Sequence, residues 1–217
     1  MTGEPFRVAR LEEIDEIDDG RCPWRPIRLQ LGITAFGVNA WTGRQVGDRI
    51  INEHSEGGEG GEEELYLVMS GRARFEVGDD AVDGPAGTLV FVEPGLRRTA
   101  FAEEPETTIL AVGGVAGEAY TPAGWELWAP VNRYYESREY ERAIAAIAPV
   151  IGAHPQYAGP LYNLACCESL AGRPDDALEH LGRAIAISER CRTLAQSDSD
   201  FDPIRDDPRF AALVGAS

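Results

Sequence analysis

His54 and Glu64 stand ten positions apart in the segment GDRIINEHSEGGEGGEEELYLVMSG. An imidazole and a carboxylate brought together can do two kinds of work. They can pass a proton, with Glu64 or His54 as the candidate base, or they can share a divalent transition metal of the kind that accepts mixed nitrogen and oxygen ligands. Two ligands are an incomplete metal set, although Glu53, Glu59, Glu62 and Glu63 stand near enough in sequence to lend oxygens. Arg74 and Arg98 lie downstream; a guanidinium has donors only, so it cannot ligate a metal. Either arginine would instead neutralise Glu64 or receive an anionic ligand. Among the aromatics of this half, Phe36, Phe75 and Phe91 read as core, whereas Trp41 and Tyr66 are placed to wall a pocket. His154 and His180 read as a turn residue and an exposed helical residue without function. No GxSxG, HExxH or dinucleotide-binding motif appears.

Composition removes several other chemistries. The 217 residues include 20 arginines, no lysine, 37 acidic residues and a formal net charge of −17. Schiff-base catalysis and a phosphate-gripping P-loop both need a lysine. The acidic balance speaks against nucleic acid and against an anionic membrane as partners, since each calls for clustered cations. Cys22, Cys166, Cys167 and Cys191 form no CxxC pair or zinc spacing and are expected to be reduced, structural thiols. The N-terminal MTGEPFRVARLEEIDEIDDG lacks an apolar leader and no run is long enough to span a bilayer, so a cytoplasmic location is expected.

The elements that must hold these residues come in two grammars. Up to about Gly124, short alternating runs such as RPIRLQLGITAFGVNAW, GDRIIN, ELYLVMSG, RARFEVG, GTLVFVEPG and TTILAVGG are each closed by glycine or proline, the pattern of strands joined by turns. From Trp125 onward apolar residues recur at three and four, and glycine thins out, the pattern of helices. Strands followed by helices predict two domains, 1–124 and 125–217. SEGGEGGEE, between His54 and Glu64, is expected to be a glycine-rich loop.

In the β half, Gly47, His54, Glu64 and Gly71, followed by Gly87, Pro94 and Gly95, resemble the two signature motifs of the cupin superfamily, small antiparallel jelly-roll barrels with a ligand at the mouth. The resemblance covers about residues 30–115. It implies three histidines and a glutamate around a metal, but here Asn52 stands in place of one histidine and Arg98 near the place of another. In the helical half, Ala143, Ala177 and Ala211 are 34 apart, as are Ile147 and Leu181, and this period resembles the tetratricopeptide repeat (TPR). Pro130 interrupts where the first helix is expected to begin, and DDPRFAALV keeps only the second helix of a third copy.

The fold expected is therefore a two-domain β + α chain, an antiparallel jelly-roll (cupin) barrel followed by a short TPR-like α-helical domain. Its expected function is non-catalytic or accessory: a small organic ligand, anionic if an arginine receives it, bound by His54, Glu64, Arg98, Arg74, Tyr66 and Trp41. The helices would serve dimerisation, as a homodimer, or contact with a protein partner. No cofactor is expected. The alternatives are a metal-dependent cupin enzyme, a dioxygenase or isomerase using a divalent transition metal on His54 and Glu64, and a protein-interaction scaffold. Whether a reaction is catalysed is left open by these residues.

Overall fold

Side chains that alternate at a period of two can bury one face of a strand and leave the other wet, and the β half obeys that rule through most of its length. A computed structural model describes residues 6–18, 20, 22–57 and 61–215. The chain divides into two compact units, Met1–Pro122 and Ala123–Ser217. In the first, β1 (Trp24–Arg25) and the short helix α1 (Ile27–Leu31) precede β2 (Gly37–Gly43), β3 (Arg49–His54), β4 (Glu63–Ser70), β5 (Arg72–Val77), β6 (Asp80–Pro85), β7 (Leu89–Val92), β8 (Arg98–Ala102) and β9 (Thr107–Gly114). They form a five-stranded sheet in the order β1-β2-β9-β4-β7 and a four-stranded sheet in the order β3-β8-β5-β6. All the strand pairs are antiparallel. Setting β1 aside, four strands per sheet with β2-β9-β4-β7 facing β3-β8-β5-β6 is the jelly-roll order, two nested Greek keys.

Three parts of the β half differ from the sequence reading. Ile27–Leu31, expected to be extended, is one turn of helix, closed by Gly32 in the left-handed conformation at φ 63°. β6 and β8 were not expected. Their runs DAVDGP and RTAFA are short and rich in small or charged residues, so alternation hardly shows. Phe91 and Phe36, expected in the core, are exposed, Phe91 by 56%. Register explains Phe91: it pairs with Leu65, which points away from the barrel, while the neighbouring rows Tyr66–Val90 and Glu64–Val92 point inward. Of the loop expected between His54 and Glu64, residues 58–60, including Glu59, lie outside the described residues.

The barrel interior is filled by Ile51, Tyr66, Val68, Phe75, Val92 and Ile109, with Ala73, Ala100 and Ala102 fully buried where the sheets approach. Gly71 closes the tight β4–β5 turn at φ 71°, and a Cβ there would lie 2.4 Å from Thr107 Oγ1 and 2.9 Å from its Cα.

The second unit is built from α2 (Gly124–Glu136), α3 (Tyr140–Ala153), α4 (Ala158–Leu170), α5 (Pro174–Ile187), α6 (Arg190–Ser197), a 3₁₀ segment Ser199–Ile204, and α7 (Pro208–Gly215). The first residues of α2 and α4 are 34 apart, and so are those of α3, α5 and α7. Ala143 and Ala177 each occupy the fourth position of their helix and are wholly buried. Pro130 does not delay the first helix: α2 runs through it, with Leu127, Ala129 and Val131 buried on either side. The lost backbone donor is outweighed by that burial. His180 is also not the exposed residue expected; its Nδ1 lies 2.8 Å from Oε2 of the buried Glu168. The four cysteines are free thiols. Among the described residues no helix is long and apolar enough to cross a membrane.

Candidate functional site

Register brings the site together. Across the first sheet, Gly37 pairs with Gly113, and Gly113 with Glu64, which also pairs with Val92, so these four residues form one inward-facing row at the end of the barrel. In the second sheet His54 pairs with Arg98, and Arg98 with Val77. The His54 pairing follows a register shift after Ile51, which turns the end of β3. Two glycines in the first row permit close approach: a Cβ on Gly113 would meet Glu64 Cγ at 3.3 Å, and one on Gly37 would lie 2.7 Å from Tyr120 Oη.

Glu64 Oε2 is the common acceptor. Arg98 donates to it from Nε at 2.8 Å and Nη2 at 2.5 Å, and the Tyr66 hydroxyl donates from two residues along the same strand. His54 Nε2 lies 3.1 Å from the same oxygen. The Arg98 side chain is only 1% exposed and Glu64 14% exposed. Arg98 Nη1 also donates to the Leu96 carbonyl at 2.9 Å. Burial alone would raise the Glu64 carboxyl, but the hydrogen bonds from His54 and Tyr66 and the charge of Arg98 outweigh it and hold Glu64 below its ordinary range. Burial, then the Glu64 charge, pushes the Tyr66 hydroxyl far upward, so it remains a donor.

The second ring nitrogen of His54, Nδ1, is 2.7 Å from the Asn52 carbonyl. A carbonyl and an ionised carboxylate both accept, so the protonated ring, donating from both nitrogens, is the form that satisfies both partners. In agreement, the Glu64 hydrogen bond raises His54 above its ordinary value of 6.5, against the opposing effect of burial. Glu56 Oε1 lies 3.6 Å from Nε2. His54 is thus poised as an acid, and Glu64, weakly basic and surrounded by donors, anchors the others.

This pair has a pH signature. Glu64, lowered in the folded state, contributes stability above its ordinary value of 4.5 and loses it as pH falls through the folded value. His54, raised, contributes fully below 6.5 and loses its contribution as pH climbs through its higher folded value. The site is expected to stabilise the fold most between about pH 4.5 and 6.5. Urea denaturation from pH 5 to 9 should show an alkaline decline that His54→Gln removes; an equal decline in both proteins would contradict the assignment.

Of the residues picked from sequence, His54, Glu64, Tyr66 and Arg98 come together. Arg74 does not. In β5 the inward residues are Ala73 and Phe75, so Arg74 faces outward, bound to Glu76 and Glu103 and stacked on Phe101 with 4.8 Å from guanidinium to ring centre. Trp41 is on the inward face but four residues along β2 from the Gly37 row, beside Ile109 and stacked on Trp24 at 6.1 Å. It belongs to the barrel's packing. The sequence reading missed Asn39, Glu56 and Tyr120. Asn39 shares an inward row with Ala111 and Tyr66, is 4% exposed, and its Oδ1 has no hydrogen-bond partner among the described residues. Counting back in twos from Trp41 would have placed Asn39 inside; nothing in the sequence brings Tyr120, beyond the last strand, to Gly37.

No family model matches the chain, and comparison with curated proteins finds no match. Its structural neighbours are cupin and double-stranded β-helix proteins. A cupin protein from Bacteroides fragilis is 17% identical, covering 55% of this chain and 93% of its own, with a TM-score of 0.42. KdgF from Halomonas sp. is 14% identical over 52% of this chain and 93% of its own, with a TM-score of 0.40. A double-stranded β-helix protein from Klebsiella pneumoniae is 17% identical over 54% and 98%, also at 0.40. These likenesses span about half of the chain.

Proposed function

We propose that the first unit is a cupin barrel that binds a small polar organic molecule at its mouth without a metal, in an accessory or sensory role. The observation that carries this reading is the buried Arg98 guanidinium on Glu64 Oε2. In a cupin metal centre that carboxylate would face the cation; here a guanidinium with no lone pair stands beside it and supplies the positive charge. The residues present fit an ion poorly, since the oxygen that would ligate it already accepts from three side chains. The orphaned Asn39 Oδ1 in the barrel supports a ligand with at least one N–H or O–H to offer it. Nε, Nη1 and Nη2 of Arg98 each already donate within the barrel and the guanidinium also hydrogen-bonds Tyr66, so what Arg98 offers an anionic group on such a ligand is its positive charge.

A metal-dependent enzyme is the second reading, favoured by the ligand atoms of His54, Glu56 and Glu64, which lie within 4.8 Å of one another. Inductively coupled plasma mass spectrometry on tag-free protein separates the two. Wild type is expected to hold well under one equivalent of iron, manganese, nickel, copper or zinc, while Arg98→His, which places an imidazole opposite His54, should bind nickel or zinc at least tenfold more tightly. Stoichiometric metal in the wild type would overturn the metal-free reading. For the second unit we propose a TPR-like array. The recurrence of helices at 34 residues and the buried Ala143 and Ala177 support it.

A further inference from the structure

The helical unit holds a cavity that the barrel reading does not use. Its volume is ≈ 400 Å³, and its lining includes Trp125, Trp128, Tyr135, Tyr162, Asp198 and Asp200. The first three come from α2, Tyr162 from α4, Asp198 caps the 3₁₀ segment and Asp200 lies in its first turn. The Tyr135 hydroxyl donates to both oxygens of Asp200, at 2.9 and 2.8 Å, and the Tyr162 hydroxyl donates to Asp198 Oδ2 at 2.7 Å. Trp128 spends its indole N–H on Asn132 Oδ1 at 3.0 Å and meets Tyr135 edge to face at 5.5 Å. The Asp200 backbone N–H donates to Asp198 Oδ1 at 3.0 Å, and the Cys166 thiol lies 3.8 Å from Asp198 Oδ2.

Tyr135, Tyr162, Cys166 and the Asp200 amide donate to these two carboxylates, and none of these donors carries positive charge; the Arg205 guanidinium donates to the Asp198 backbone carbonyl at 2.6 Å. The polar edges of Trp128, Tyr135 and Tyr162 are thereby spent. What they offer a guest is aromatic surface and the acceptor side of two hydroxyl oxygens, beside two acidic side chains. Such a lining repels anions and attracts a cation that is content with ring faces in place of hydrogen bonds. We infer that this cavity is a binding site for an organic ammonium cation, either free or carried on the side chain of a partner.

An inorganic cation is the rival, because Cys166, Asp198 and Asp200 present ligand atoms within 4.8 Å of one another. The geometry favours the organic guest. A soft-metal site needs a thiolate, whereas burial and then the Asp198 charge keep Cys166 protonated, and four of the nine lining residues are aromatic. This inference stands apart from the barrel mouth and survives the failure of either reading given for it.

The test uses the full chain at constant ionic strength, followed by tryptophan fluorescence and isothermal titration calorimetry. Choline chloride is expected to bind saturably, and its uncharged isostere 3,3-dimethylbutan-1-ol at least tenfold more weakly. Asp200→Asn, which keeps an acceptor for Tyr135, should weaken choline at least tenfold, and Asp198→Asn serves the same purpose should the first variant not fold. Nα-acetyl-lysine methylamide binding more tightly than choline would place the cation on a partner's side chain, and the reverse order would make it a free solute; both support the site. Equal affinity for choline and the isostere overturns the inference. So does saturable zinc chloride binding by a protein that shows no saturable choline binding, or choline binding indifferent to both asparagine substitutions.

Discussion

Arg98→Met is expected to cost the protein about 3–5 kcal/mol, the usual penalty for removing one partner of a buried ion pair. Most of that loss comes from what stays behind. Glu64 is 14% exposed and would keep His54 and Tyr66 as donors but lose the guanidinium that donates twice to its Oε2. Its carboxyl would then be pushed upward by burial with less to oppose it, so the deficit should shrink as pH falls and Glu64 takes up a proton. The double variant Glu64→Gln/Arg98→Met removes the stranded charge and should recover more than half of the lost stability. Urea denaturation of the three proteins at pH 7 and pH 4.5 reads all of this. A single variant as stable as the wild type, or a deficit that deepens in acid, would show that the pair does not hold the mouth.

Phe201→Ala should be as damaging, at about 3–5 kcal/mol, by leaving a cavity in the helical core. Phe201 is wholly buried, with the Tyr162 ring at 5.6 Å and 79° and the Phe210 ring at 5.6 Å and 35°. Its loss removes contacts to α4 and α7 together. The matching change on the other unit, Phe91→Ala, deletes an equal volume from an exposed sheet face and should stay within about 0.5 kcal/mol. Circular dichroism in urea distinguishes them; similar losses for both would mean that burial does not set the cost.

These two phenylalanines also show how far the sequence could be read. Helical periodicity and the 34-residue spacing are local signals, so α3 and α5 were legible down to the buried Ala143 and Ala177. The alternating runs that became β4, β5 and β9 were legible for the same reason. Phe91 was not, because alternation gives two faces and not which is covered; that is decided by pairing with Leu65 on a strand 26 positions away in sequence. In the site, His54, Glu64 and Arg98 were marked by the places they take in the motifs that resemble the cupin signatures, Arg98 following the Pro94–Gly95 turn. The misplaced Arg74 satisfied the same chemistry on the wrong side of a strand. Asn39 was within reach of counting by twos, whereas Tyr120 approaches Gly37 across the fold and leaves no trace in local pattern.

The strand order has a kinetic consequence. Thr42 and Thr108 share a side-chain hydrogen bond 66 positions apart, and β9 is the strand that ties β2 to β4. Closing such long loops precedes any reward from the contacts they make, so folding dominated by distant pairings is slow, while helices packed on their chain neighbours form quickly. The second unit, where α4 packs on α5 next in the chain, belongs to the fast class. Glu64 lies on β4 and Arg98 on β8, and β4 stays half-paired until β9 arrives. The mouth of the barrel is therefore among the last features to mature during refolding, after the helices have reached their final content.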